Sequence, residues 1–109
     1  WLALGSPGSE QIYSSVAQCL INLVDRNLSL AEAVARPRVH CAIDGTLAIE
    51  SPGFDPSLLS YLEGLGYRLE QRETGIGCVQ AVLRRSDGQG FQGVADWRRD
   101  GAAAGPGAN

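Results

Sequence analysis

Residues 4–24 read LGSPGSEQIYSSVAQCLINLV, and the reading of this stretch decides the fold. Gly5 and Gly8 bracket Pro7, a composition that demands a tight backbone path. The apolar run before it, Trp1 to Leu4, reads as the end of a strand. Ser9 reads as a helix N-cap, because a Ser hydroxyl at that position accepts from a free N–H of the first turn. Glu10 places a carboxylate where the helix dipole favours one. Ile12, Val16, Cys19, Leu20, Leu23 and Val24 then recur on one helical stripe, which Ala17 and Ile21 widen. The pattern predicts a helix over 9–26, apolar around much of its circumference and so deeply packed. Strand, glycine turn and helix in succession identify an α/β chain.

Further along, Ser29 and Glu32 match a capping box, and a short helix over 30–35 must stop before Pro37. Val39 to Ile43 reads as a strand, Asp44-Gly45 as a two-residue hairpin turn, and Thr46 to Glu50 as the returning strand. Asp55 caps a third helix that has Pro56 at its first position and Leu58, Leu62 and Leu65 on its stripe, with Gly66 as its C-terminal stop. Tyr67 to Glu73 alternates weakly, as a solvent-edged strand does. Cys78 to Leu83 is almost continuously apolar and reads as the central strand of a sheet. Phe91 to Trp97 is the last strand. Residues 102–109, AAAGPGAN after Gly101, have little to pack and read as an extended or mobile tail.

With 109 residues the chain is one domain or part of one, and alone it would bury roughly two-thirds of its unfolded surface. Hydrophobic residues at 44% and charged residues at 19% suit a folded segment rather than a disordered one. The net charge is −3, and every one of the nine basic residues is Arg. A nucleic-acid binder needs a basic excess to neutralise phosphates, so that class is set aside. No apolar run approaches the ~18 residues that span a bilayer, and no signal-peptide pattern opens the chain. A chain that opens at Trp1 and contains no Met reads as a fragment of a longer protein, a single segment over 1–109. Cys19, Cys41 and Cys78 lack metal-ligand or CxxC spacing and read as three buried thiols.

The turn at residues 5–9 is the densest chemical signal. Backbone N–H groups at a helix N-terminus lack internal partners and face the positive end of the helix dipole, so they bind anions and developing oxyanions. The alternative is a plain strand–turn–helix connection. The motif is neither a phosphate-binding P-loop nor a dinucleotide fingerprint. His40 is the single histidine, and neighbours on a strand point to opposite faces, so it does not pair with Cys41. Pairing with Cys78 stays possible, and a hydrogen-bonded structural histidine is the simpler reading. Ser6, Ser9, Ser14 and Ser15 become nucleophiles only if a base approaches, and no nucleophile elbow is present. Asp96, Arg98, Arg99 and Asp100 read as a surface or interface ion-pair cluster; the sharper reading is an Arg whose planar fork organises an active-site or subunit contact.

Taken in order, these pieces resemble the C-terminal half of the small subunit of the γ-glutamyltranspeptidases. The likeness rests on Gly5-Ser6-Pro7-Gly8 before a long apolar helix, and on Leu30-Ala31-Glu32-Ala33-Val34 followed by Pro37-Arg38-Val39-His40. It continues in Leu62-Glu63-Gly64-Leu65-Gly66-Tyr67, in Gly77-Cys78-Val79-Gln80-Ala81, and in Arg98-Arg99-Asp100-Gly101-Ala102-Ala103. The resemblance implies part of an N-terminal-nucleophile hydrolase αββα sandwich, with a mostly antiparallel sheet and about three helices. It implies a precursor that cuts itself into two subunits, with the new N-terminal Thr attacking γ-glutamyl amides of glutathione and related compounds. No metal or organic cofactor takes part in such a reaction. The oxyanion donors map onto the backbone N–H groups of Gly8 and Ser9, where Ser9 replaces the family's usual Gly. The Thr nucleophile and the groups that hold the substrate's amino and carboxylate ends fall upstream of Trp1, so the isolated chain is expected to be inactive. Its partners would be the remainder of the precursor and a γ-glutamyl small molecule, with neither nucleic acid nor membrane, in a periplasmic or extracellular setting. Self-association through exposed apolar surface is a further expectation. The competing reading is a non-catalytic structural or interaction domain derived from the same family.

Overall fold

Backbone pairing divides the strands into two sheets of three. The computed structural model describes residues 1–106, so the last three residues of the expected tail lie outside the described part. In chain order the elements are β1 (Leu2–Gly5), α1 (Gln11–Leu20), α2 (Leu30–Ala35), β2 (Val39–Cys41) and β3 (Thr46–Glu50). After them come α3 (Pro56–Gly64), β4 (Arg68–Arg72), β5 (Gln80–Arg84) and β6 (Phe91–Ala95). The first sheet runs β1-β5-β6, antiparallel throughout, with Leu4 opposite Ala81 and Ala81 opposite Val94. In the second sheet β2 and β3 are antiparallel with His40 opposite Ala48, while β3 and β4 are parallel with Ala48 opposite Glu70. The parallel pair follows from α3, which supplies the crossover that such pairing needs. The expected mostly antiparallel α+β arrangement with three α-helices is therefore the one observed.

The core lies between the inner face of α1, α2 and the first sheet. Cys19, Leu30, Val34, Val79 and Ala81 are its buried members, with Leu2, Leu4, Leu23, Leu83 and Val94 packed around them. β5 is central, as its apolar run predicts, although its pairing starts at Gln80 rather than Cys78. β4 is the edge strand, and its outward residues are exposed. At the start of α3 the Asp55 side chain accepts from Ser57 N at 2.9 Å, and Gly66 stops the helix with φ of 98°. Ser29 caps α2 through a bond from Glu32 N at 3.2 Å, but the Glu32 side chain makes no return bond.

Five expectations are corrected. Ser9 does not cap α1: it sits at φ 54° and makes no side-chain bond to the helix, and Glu10 occupies the cap position. The helix over 9–26 is α-helical only to Leu20 and continues as a π-helical turn over Ile21–Asp25. It is packed on one side only, with Tyr13, Ile21 and Val24 exposed. The β2–β3 turn is wider than two residues. Gly45 N donates to Ala42 O and Ala42 N to Thr46 O, and only Gly45 has positive φ, whereas the two-residue type I′ turn that Asp-Gly favours needs positive φ at both central positions. Cys41 is exposed, because its alternation on β2 turns it away from the face that buries His40. Among the described residues no helix is long and apolar enough to cross a membrane.

Candidate functional site

The turn between β1 and α1 is fastened from both sides. β1 ends at Gly5, paired with Gln80. Ser6 Oγ accepts from Cys78 N at 3.0 Å, and Gln11 Oε1 accepts from Gly77 N at 3.2 Å, so the segment before β5 holds both ends of the turn. Gly77 can approach this closely because it has no side chain, and its φ of 70° suits glycine.

Inside the turn, Gly8 has φ of 126° and Ser9 has φ of 54°. Gly8 O accepts from Gln11 N at 2.9 Å and Ser9 O from Ile12 N at 3.1 Å, which turns both carbonyls into the helix. The N–H groups of Gly8 and Ser9 donate to no other group among the described residues. Two consecutive free amides at the positive end of a helix can receive one anionic oxygen. Ser9 holds its amide in a left-handed conformation, with a cost for a non-glycine residue of roughly 1–2 kcal/mol.

The serines separate by environment. Ser15 is fully buried and donates to Ile76 O at 3.4 Å. Ser14 Oγ lies 2.8 Å from His40 Nδ1, so a base does approach one of the four candidate hydroxyls. The same hydroxyl donates to Gln11 O at 3.2 Å, and the imidazole is buried. His40 hydrogen-bonds to neither Cys41 nor Cys78; its neighbours are Ser14, the edge of Tyr13 and, at 3.9 Å, Glu10 Oε1. It is a buried, hydrogen-bonded histidine. Cys19 and Cys78 are buried free thiols, and burial pushes the Cys19 thiol up despite the nearby Arg38, so it is poorly disposed to act as a thiolate.

The cluster near the C-terminus is not on the surface. Arg98 forms a planar fork on Glu50, with Nε to Oε2 at 2.8 Å and Nη2 to Oε1 at 2.6 Å, and its Nη1 reaches Asp96 Oδ1 at 3.0 Å. Arg38 meets the other oxygen of Asp96 at 2.8 Å. Glu50 also accepts from the backbone N–H groups of Arg38, Gly75 and Ile76, and Asp96 from those of Val79 and Arg98. Burial alone would raise both carboxyls. For Glu50 the Arg98 bond and the Ile76 and Arg38 amides outweigh it, and for Asp96 the Val79 and Arg98 amides and Arg38 do, so both are held below their ordinary values. Arg99 and Asp100 take no part through their side chains. Two members, Arg38 and Glu50, were not among the residues singled out for this cluster. A carboxylate ending an otherwise buried strand and an Arg directly after Pro37 were the available signals. The cluster ties α2, β2, β3 and the 74–79 segment together, and that segment is the one fastening the turn.

The whole described chain, residues 1–106, matches the family model described as Gamma-glutamyltranspeptidase. The chain is 36% identical over 99 residues to the glutathione hydrolase proenzyme of Escherichia coli (strain K12), a match covering 90% of this chain and 17% of that protein. It is 35% identical over 104 residues to the glutathione hydrolase proenzyme of Bacillus subtilis (strain 168), covering 95% of this chain and 18% of that one. A solved gamma-glutamyltranspeptidase variant from Helicobacter pylori superposes with a TM-score of 0.79 at 33% identity, over 91% of this chain and 54% of the solved chain. The chain thus spans under a fifth of the length of these curated relatives. Its two sheets and three α-helices are a portion of the N-terminal-nucleophile hydrolase fold. The chain belongs to the gamma-glutamyltranspeptidase family.

Proposed function

We propose that this chain is the oxyanion-binding segment of a γ-glutamyl transferase or hydrolase that acts on glutathione and related γ-glutamyl amides. The observation that carries the reading is the pair of free amides, Gly8 and Ser9, at the head of α1. In this reading a Thr supplied by the rest of the precursor attacks the γ-amide carbonyl. The carbonyl oxygen gains negative charge as the tetrahedral intermediate forms and is received by the two N–H groups. The amine leaves with the proton that the Thr hydroxyl gives up, and the acyl group passes from Thr to water or to an amino acid or peptide, which returns a proton to Thr. Each backbone donor is worth ~2.7–4 kcal/mol in the transition state, and it needs no reorganisation because the turn is already fastened to residues 77 and 78.

Gly8→Ala tests the reading in the full-length, self-cleaved protein, assayed with a γ-glutamyl anilide. An added Cβ would sit 3.3 Å from Gln11 Cβ on a backbone with φ of 126°, so the turn must shift. Turnover is expected to fall about 10²–10³-fold, the loss that follows removal of one oxyanion donor. Unchanged turnover by a folded, self-cleaved variant would contradict the reading.

A further inference from the structure

We infer that His40 is a positioning residue for the paired amides of Gly8 and Ser9, an inference that rests on the oxyanion reading above. His40 lies on β2 with 3% of its surface exposed, and its neighbours come from the head of α1. Nδ1 is 2.8 Å from Ser14 Oγ, and the same hydroxyl lies 3.2 Å from Gln11 O. Gln11 in turn donates its own N–H to Gly8 O and accepts from Gly77 N on its side chain. One residue therefore links the imidazole to the glycine turn.

The other ring nitrogen faces the start of the same helix. Nε2 is buried without a hydrogen-bond partner among the described residues. The recorded polar neighbour is Glu10 Oε1 at 3.9 Å, on the residue directly after the two free amides. Tyr13 meets the ring edge to face at 5.9 Å between centroids. An aliphatic side chain would fill this space at no polar cost. The imidazole instead grips the first turn of α1 through Ser14 and faces Glu10.

The test uses Ser14→Ala, His40→Leu and His40→Asn in the full-length, self-cleaved protein with a γ-glutamyl anilide. Asn places a side-chain amide where Nδ1 stands, whereas Leu keeps only the volume. We expect kcat to fall about 10–100-fold in Ser14→Ala and His40→Leu, as for a small misplacement of catalytic groups. KM should stay within about twofold, because the interaction lost is one made in the transition state. His40→Asn should recover most of kcat. Folded Ser14→Ala with wild-type kcat, or equal losses in Asn and Leu, would overturn the inference. If His40→Leu fails to fold, Ser14→Ala decides alone, since Ala is well tolerated within a helix. Gly8→Ala in the same assay separates the two claims. Collapse there beside a wild-type Ser14→Ala removes the role of His40 only, whereas wild-type activity in Gly8→Ala removes the oxyanion reading itself.

Discussion

Gly77 admits no side chain. A Cβ there would collide with Ser15 Oγ, lie 2.8 Å from Ser15 Cβ and 2.9 Å from Ser6 Oγ, on a backbone whose φ of 70° already disfavours an L residue. Gly77→Ala therefore adds a left-handed penalty to overpacking, together about 2–5 kcal/mol. The urea midpoint should drop accordingly, and a midpoint equal to that of the parent would show that the close approach is not rigid. The sequence announces Gly8 as a turn glycine through its flanking residues, but it cannot reveal which neighbours Gly8 and Gly77 meet. Ser9 departs from its expected role for a related reason. Its residue type favours an N-cap, yet the backbone needs a left-handed residue there, and that conformation is incompatible with the extended φ/ψ of a cap. The contact of Ser14 with His40 spans 26 positions and joins a helix to a strand, so no local pattern could show it.

Secondary structure was legible wherever local chemistry decided it. The Asp55-Pro56 start of α3, the Gly66 stop and the short α2 after Ser29 all follow from caps that act within one turn of helix. The β2–β3 connection was legible in place but not in form, because the Asp44 carboxylate accepts from Thr46 N at 2.9 Å and leaves Gly45 alone in the left-handed region. What joins the elements was far less legible. Arg38, Glu50 and the Asp96–Arg98 pair lie in three separate stretches, and only folding brings two positive and two negative side chains into one buried cluster. Removing one charge from such a cluster leaves its partner buried and uncompensated, at a cost of about 3–5 kcal/mol. Asp96→Asn is expected to lower stability by that amount in denaturant titration, while a change below about 1 kcal/mol would mean the cluster is solvated. The pH dependence has a fixed sign. Glu50 and Asp96 are held below their ordinary values in the folded chain, so the stability they contribute is full above about pH 4 and is lost as pH falls through their lowered values. Acid titration followed by circular dichroism should show a loss confined to that range. A loss between pH 5 and 7 would point to another group.

The chain as a whole is elongated, with extents of 51 × 24 × 21 Å and a radius of gyration of 15.4 Å. A compact domain of this length would have a radius near about 13 Å. Its outer helix face is apolar and open: Tyr13, Ile21 and Val24 are exposed on the α1 side, with Trp1, Val82 and Phe91 exposed on the first sheet. The pattern of residues 9–26 predicts a helix apolar around much of its circumference, and the outer face of that helix stays uncovered in this chain. Surfaces of this kind associate in water. The isolated chain should therefore sediment as oligomers that grow with concentration, and a single monomeric species at high concentration would show that the exposed groups are too scattered to pair. The central claim is that Gly8 N–H and Ser9 N–H together receive the negative oxygen of the tetrahedral intermediate. Its most direct test is a structure of the full-length, self-cleaved protein bound to a γ-glutamyl boronate, whose tetrahedral oxygen stands in for that intermediate's. We predict both nitrogens within about 2.7–3.1 Å of one boronate oxygen; an oxygen held by other donors, with these two amides facing solvent or protein carbonyls, would contradict it.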